Sequence, residues 1–409
     1  MTASIPSDPN LHVIGIGADG WAGLSAAAQA RIRAADVILG GARHLELLPD
    51  DVPGRRETWP SPLRSRLGEF LASLPAGTVV ALASGDPLVS GIGTTLLGLL
   101  GPDRVTIEPA VSSVALARAE MGWPAESCAV VSVVGRDVAL LARELAPGRR
   151  VLVLSSDEHT PGQVAALLTD AGYGASRLTV LSDLGSPAFQ RTDRDACDWS
   201  DQRDAPSRLN IVAVVTNGPS TGRGWTAGLA DDAFENDGQL TKRDLRASAL
   251  ARLAPTPGEH LWDVGAGAGS VGIEWMRAHP SCTATAIEAD PDRAARIARN
   301  ARALGVPGLQ VVTGRAPDAL TDLQEPDAIF VGGGATRPGV ADACLAALRP
   351  GGRLVIHGVT LETEQLLARL YDSRGGELTR ISVETAAPVG TFTGWTPARA
   401  VTQWAYRAE

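Results

Sequence analysis

Short β-branched runs separated by alanine-rich stretches of helical length set the rhythm of this chain. Runs at 11–16, 37–39, 79–83, 105–107, 130–134, 151–154, 178–181 and 210–215 have the apolar character of strands buried in a sheet. Between several of them lie segments with helical spacing, such as 25–34 and 113–121. This alternation predicts open parallel α/β sheets, because parallel neighbours need a crossover that a helix supplies. Near Thr216 the pattern stops. Residues 217–239 are rich in Gly, Asp, Ser and Thr with little apolar periodicity, and read as a linker plus a docking segment.

A second α/β pattern follows. It predicts a helix over 241–253, strands at 260–264, 283–288, 310–313, 327–331 and 353–359, and helices at 271–278, 292–304 and 339–347. Segments 383–388 and 400–407 suggest a closing hairpin. The chain therefore divides into 1–216, 217–239 and 240–409, and each larger part is long enough to fold alone.

Charge narrows the function. Against 46 acidic side chains stand 37 basic ones, a formal net charge of −9, so no cationic surplus exists to neutralise nucleic-acid phosphates. No apolar run has the length of a membrane span, and residues 1–9 lack the basic start and apolar core of a signal peptide. A cytoplasmic protein is expected. The 4 cysteines are far apart with no C-x-x-C pair, and the 6 histidines are scattered, so neither a disulfide framework nor a metal site is expected. Lys242 is the sole lysine among the 37 basic residues, which draws attention to its surroundings.

The sharpest motif is Asp263-Val264-Gly265-Ala266-Gly267-Ala268-Gly269, which joins a predicted strand to a predicted helix. Glycines at such a turn let the backbone pass close to a ligand. Glu288, at the tip of the next strand, is placed to accept both hydroxyls of a ribose. Two cofactor classes share this pattern. Gly267-x-Gly269-x-x-Gly272 fits the dinucleotide fingerprint of a nicotinamide-dependent oxidoreductase. The D-x-G-x-G-x-G form resembles the first motif of class I S-adenosylmethionine (SAM) methyltransferases. That resemblance implies that Asp263 helps hold the methionine end of the donor, that Gly265 to Gly269 border it, and that the Ala316 backbone lies beside the adenine. The family usually carries an acid where Arg315 stands here. Upstream, Thr241 reads as a helix N-cap with Asp244 roughly completing a capping box, and also as projecting with Lys242 into the cleft. Gly332-Gly333-Gly334 reads equally as a flexible turn or as a bare wall for a planar substrate.

The first half carries a different set. Gly15-x-Gly17-x-x-Gly20 follows a strand, but the next strand ends Leu39-Gly40-Gly41 without a ribose-binding acid. Downstream come Ser84-Gly85-Asp86-Pro87-Leu88-Val89 and Val111-Ser112-Ser113. Together these resemble the tetrapyrrole methylases, or class III methyltransferases. The resemblance implies that Ser84, Gly85, Asp86, Pro87, Val89, Ser112 and Ser113 wrap a folded SAM between two α/β subdomains, with Gly15 and Gly17 bordering the tetrapyrrole trough.

The pairing of these two classes is sharpened by Gly238-Gln239-Leu240-Thr241-Lys242-Arg243, Leu261-Trp262-Asp263, Ile273-Glu274-Trp275-Met276-Arg277 and Phe392-Thr393-Gly394-Trp395. As a whole the chain resembles the bifunctional precorrin-6B C(5,15)-methyltransferase (decarboxylating) family of aerobic cobalamin biosynthesis. This implies two SAM sites, one per half, with methylation of a precorrin at carbons 5 and 15 and loss of the ring C acetate carboxyl, giving precorrin-8. The second half would handle carbon 15 and the decarboxylation. A substrate bearing many carboxylates needs local cations on an acidic protein, and Arg43, Lys242, Arg243, Arg246 and Arg337 are the candidates. The resemblance also implies a homo-oligomer, dimeric or tetrameric. The sequence points to no catalytic residue, because methyl transfer to an electron-rich ring calls for positioning more than for a strong base.

Overall fold

The computed structural model describes residues 11–200, 206–219 and 223–409. The chain forms two compact units, Met1–Val138 with Pro147–Pro219, and Ala139–Ala146 with Ser220–Glu409.

In the first unit, β1 (Leu11–Ile16), β2 (Val37–Gly40), β3 (Arg55–Thr58), β4 (Val79–Ser84) and β5 (Val105–Glu108) form a sheet of order β3-β2-β4-β1-β5, parallel throughout. Alternate side chains leave a strand on opposite faces. Ile14, Ile16, Ile38, Val80 and Leu82 therefore fill one core, while Leu11, Val13, Val37, Leu39 and Ala81 fill the other. Burial on both faces explains why the inner strands read as continuous apolar runs. Strand β3, Arg-Arg-Glu-Thr, lacks that signal because it is an edge held by backbone pairing to β2.

The unit's second sheet corrects the all-parallel expectation. It comprises β6 (Ala129–Ser132), β7 (Arg150–Leu154), β8 (Arg177–Ser182), β9 (Gln190–Asp195) and β10 (Asn210–Val215), in the order β6-β7-β10-β8-β9. Only β6 and β7 run parallel; the other pairs are antiparallel. The β8–β9 connection spans only residues 183–189, too short for a helical crossover. Strand β9 is a second polar edge that the apolar pattern does not reveal.

Helix α1 (Ser113–Met121) joins the two sheets. Ser112 Oγ caps it by accepting from Ala115 N at 3.2 Å, and Gly122, at φ 64°, ends it. Its Val114 and Ala117 pack with Trp123 against Leu152, Leu181 and Ile211 of the second sheet. The segment that leaves β5 is thereby seated on the other subdomain.

In the second unit, β11 (His260–Val264), β12 (Thr283–Glu288), β13 (Gln310–Thr313), β14 (Ala328–Val331) and β15 (Arg353–Gly358) are parallel in the order β13-β12-β11-β14-β15. Two antiparallel strands extend it, β19 (Val401–Arg407) beside β15 and β16 (Glu377–Ile381) at the edge. The closing-hairpin expectation is corrected here. Residues 384–388 of the predicted segment belong to β17 (Glu384–Val389), which pairs with β18 (Phe392–Pro397) in a separate ribbon. Strand β19 takes the interior place because Val401, Thr402, Gln403 and Trp404 are buried. The unit also includes Ala139–Ala146, where Arg143 O accepts from Trp225 Nε1 at 3.2 Å. Among the described residues no helix is long and apolar enough to cross a membrane.

Candidate functional site

In the second unit the carboxyl ends of the parallel strands open on a cleft of about 270 Å³. Its lining includes Gly265, Glu288, Gly314, Arg315, Ala316, Gly333, Gly334 and Arg337. The structure thus brings together four residues named from sequence, Gly265, Glu288, Ala316 and Arg337. It also settles two of the three candidate wall glycines, Gly333 and Gly334, onto the cleft surface.

Gly265 has φ +68°, and a β-carbon there would stand 2.8 Å from Gly333 O. Gly267, at φ +59°, would meet Gln239 O at 2.7 Å. Both positions require glycine for backbone reasons and for closeness alike. Glu288 Oε2 accepts from Gly267 N at 2.8 Å and Oε1 from Asp290 N at 3.0 Å, so the acid at the strand tip also fixes the glycine loop. Ala266 N donates to Ile287 O at 3.2 Å. Ala268 is buried, with its carbonyl accepting from Asn300 Nδ2 at 3.0 Å, and Gly269 starts helix α2 (Ser270–Ala278) at φ +75°.

Asp263 lies beneath this loop rather than on the cleft wall. It is buried, Oδ2 accepts from Gly272 N at 2.9 Å, and Oδ1 has no hydrogen-bond partner. Burial, with the charge of Glu288 adding to it, pushes its carboxyl up to about 7 against the opposing pull of the Gly272 amide.

Two sequence expectations about the neighbouring helix are corrected. Helix α3 (Arg243–Leu253) has Lys242, not Thr241, at its N-cap, and Lys242 makes no side-chain cap bond. The cap is supplied from a distance, since Asp231 Oδ1 accepts from Arg243 N at 3.0 Å and Asp231 Oδ2 pairs with Lys242 Nζ at 3.5 Å. Arg246 is no substrate ligand. It is fully buried, with Nε 2.6 Å from Glu274 Oε1 and its guanidinium 4.8 Å from the centre of the Phe234 ring. Lys242 and Arg243 remain exposed.

Arg246 anchors the segment read from sequence as linker and docking residues. Glu274 accepts from Gly228 N and Leu229 N at 2.6 and 2.9 Å. Asn300 clamps both backbone groups of Glu235 at 2.9 Å, and Asp237 pairs with Arg293 at 2.8 Å and Arg296 at 3.1 Å. These contacts seat Gln239 on Gly267. The sequence does not single out Asp231 or Asn300, and it marks Glu274 only as part of the string 273–277.

In the first unit the ends of β1, β4 and β5 are stitched together. Gly85 N donates to Ile16 O at 3.0 Å, and Ala110 N donates to Gly85 O at 3.1 Å. A β-carbon on Gly15 would lie 1.9 Å from Gly85 O, and one on Gly85 (φ +52°) would lie 3.2 Å from Ser112 Cα. Gly15, Gly85 and Ser112 therefore converge. Asp86 Oδ1 accepts from Leu88 N at 2.8 Å, shaping the turn, and Pro87 is buried with its carbonyl accepting from Gly93 N at 3.1 Å. Val89 packs against the cluster that α1 makes with the second sheet, and Ser113, half-buried, is the first residue of α1. Gly17 opens the next turn, its carbonyl accepting from Gly20 N at 3.1 Å. Ser84 is exposed, and its Oγ lies 2.8 Å from His44 Nε2 and 3.4 Å from an Arg43 nitrogen.

The family models agree with the division into two units. Residues 10–195 match the tetrapyrrole (corrin/porphyrin) methylases, and residues 232–408 match the precorrin methyltransferase domain. A precorrin-6Y C(5,15)-methyltransferase [decarboxylating] from Sinorhizobium sp. is 45% identical over 398 residues, covering 97% of this chain and 96% of the relative. The chain belongs to the precorrin-6Y C(5,15)-methyltransferase (decarboxylating) family. Two shorter relatives come from Salmonella typhimurium. A cobalt-precorrin-7 C(5)-methyltransferase is 35% identical over 173 residues, 42% of this chain and 84% of its own. A cobalt-precorrin-6B C(15)-methyltransferase (decarboxylating) is 38% identical over 118 residues, 29% of this chain and 60% of its own. Membership of the precorrin-6Y methyltransferase family replaces the oxidoreductase reading of the glycine loops.

In this family member, Asp263 makes stability depend on pH. Below the usual carboxylate range both folded and unfolded chains hold the proton. As pH rises from about 4 to about 7 the unfolded chain releases it while the folded chain retains it, so stability falls, by a total on the order of 4 kcal/mol for a folded value near 7. Asp263→Asn keeps an oxygen for Gly272 N and removes the titration. In denaturant unfolding it is expected to stabilise the second unit most at pH 8, with the gain shrinking toward pH 4; an equal effect at both pH values would contradict this.

Proposed function

We propose that this chain transfers methyl groups from SAM to carbons 5 and 15 of a precorrin and removes carbon dioxide from its ring C acetate, the step from precorrin-6B to precorrin-8 in cytoplasmic cobalamin biosynthesis. On this reading the chain carries one donor site per half. Residues 1–216 methylate carbon 5, residues 240–409 methylate carbon 15 and decarboxylate, and 217–239 link them. The observation that carries the reading is the presence of two loops of unrelated construction, each closing on a glycine where a side chain would strike backbone, at Gly15 and Gly85 and at Gly265 and Gly267. The separate C(5) and C(15) relatives support the division of labour.

The donor's sulfonium supplies an electrophilic methyl, and a reduced tetrapyrrole supplies nucleophilic meso carbons. The protein's share is orientation. In the second unit Gly265, Gly333 and Gly334 put bare backbone on the cleft wall for a donor, and Glu288 is the cleft carboxylate placed for ribose hydroxyls. Arg315 and Arg337 on the same wall offer guanidinium forks to carboxylates. In the first unit Gly85, Asp86, Pro87, Val89, Ser112 and Ser113 frame the donor, while Gly15 and Gly17 lie on the macrocycle's side. Product mass spectrometry tests the reading. The intact chain should yield a macrocycle with two added methyls and one carbon dioxide fewer; a product with neither change would contradict it.

Assembly of identical chains belongs to the same reading. The β17–β18 ribbon exposes Phe392 at 80% and its cross-strand neighbour Val389 at 59% on one face and Trp395 at 71% on the other, apolar surface that a second copy would cover. Phe392→Ser with Trp395→Ser is expected to lower the mass measured by light scattering to that of a smaller species, with the far-UV spectrum unchanged. An unaltered mass would exclude the ribbon as the contact.

A further inference from the structure

The first unit holds a cluster whose chemistry exceeds the loop geometry described above. Arg43, His44 and Ser84 stand together beside Gly85. Arg43 is half-buried, and among the described residues no carboxylate lies within ion-pair distance of it. Asp183, from the second subdomain, acts on it only through space. Burial lowers the Arg43 guanidinium from its usual value, with the charge of Asp183 opposing.

The hydrogen-bond directions follow from elementary constraints. Arginine only donates, so the Arg43 nitrogen donates to Ser84 Oγ. His44 Nδ1 is buried with no partner, and a hydrogen there would be stranded without an acceptor. The neutral ring therefore places its hydrogen on Nε2, which donates to Ser84 Oγ at 2.8 Å. The ring stays neutral because burial, reinforced by the adjacent Arg43 charge, pushes His44 down to about 4. With both Ser84 lone pairs engaged, its own hydroxyl hydrogen is turned outward on an exposed residue.

We propose that Arg43 and Ser84 form a carboxylate-binding site in the first unit, with His44 as the positioning residue that aims the serine hydroxyl. A guanidinium and an adjacent outward hydroxyl present two donors at the spacing that a carboxylate accepts. The inference rests on the proposed function, which offers two sources of that group, a side-chain carboxylate of the macrocycle and the amino-acid carboxylate of SAM. His44 enters neither reaction as a base; it acts through Ser84.

The test uses the full chain and mass-resolved methylation at carbon 5, with methylation at carbon 15 in the same reaction as a control for integrity. Arg43→Gln is expected to raise one carbon 5 KM by about tenfold or more, the loss of a charge-assisted bond, and Ser84→Ala by a smaller factor. His44→Leu should resemble Ser84→Ala, and His44→Gln, which restores a donor to Ser84, should recover most of the loss. A rise confined to the macrocycle KM assigns the site to the substrate, and a rise confined to the SAM KM assigns it to the donor. Both KM values within twofold of wild type in Arg43→Gln and Ser84→Ala would overturn the site, as would a fall in kcat alone. The wild-type carbon 5 rate separately tests the functional reading, so the two failures are distinguishable.

Discussion

An Arg246→Ala chain is expected to lose about 3–5 kcal/mol of second-unit stability and, with it, methylation at carbon 15. Arg246 is fully buried and spends its donors on Glu274, on Asp231 at 3.4 Å and on the carbonyls of Thr241 and Leu229. Removing it leaves the Glu274 carboxylate in the core with no cation, although the amides of Gly228 and Leu229 still donate to it. It also frees the segment that sets Gln239 against Gly267. The loss comes from stranding one partner of the pair, not from the pair's intrinsic strength. Arg246→Met combined with Glu274→Gln should therefore recover a large part of the stability, since neither side then buries an uncompensated charge. Denaturant unfolding and hydrogen exchange at Gly228 and Leu229 read the effect. Unchanged protection in Arg246→Ala would show that the arginine is not the anchor.

Gly15→Ala is expected to abolish methylation at carbon 5 while carbon 15 chemistry continues. The added methyl would lie 1.9 Å from Gly85 O and 2.5 Å from Ala110 N, so three strand ends have to separate to admit it. Gly85 is bound on either side, to Ile16 O and by Ala110 N, so displacement of one segment moves the loop that begins with Ser84. No flexible side-chain tip stands in the way to yield instead. The loss of carbon 5 product should exceed a hundredfold, on the order of 3 kcal/mol, because sub-ångström positioning of donor and acceptor is what the loop provides. Site-resolved product analysis checks it. Retained carbon 5 methylation would show that the Gly15–Gly85 contact does not shape the cleft.

The parts of the fold readable in the sequence are those whose physics is local. Central strands such as β4 and β7 are buried on both faces, and burial writes itself as unbroken apolar runs at 79–83 and 151–154. The edges β3 and β9 are polar because one side faces water, so only pairing reveals them. Of the C-terminal strands, β17 and β19 are visible in the sequence as strands but not by their partners, and β16 and β18 are not visible at all. Whether β17 or β16 pairs with β19 depends on which face of each is covered, a tertiary fact. At the sites, the glycine loops were legible because positive φ and close approach both demand glycine. Charged residues were less so. Arg246 was read as a ligand candidate from its charge, although Arg246, Ala249, Leu250 and Leu253 repeat at the spacing of a buried helical face. That spacing was the available signal for burial. Asp231 and Asn300 act across long sequence separations, and no local pattern marks them.

Equilibrium titration of the full-length chain with S-adenosylhomocysteine, repeated on Gly15→Ala, tests the two-site claim most directly. The account predicts two molecules bound per wild-type chain and one per Gly15→Ala chain, the survivor being the Glu288 cleft. A single molecule bound by the wild type, or an unchanged stoichiometry in the variant, would contradict it.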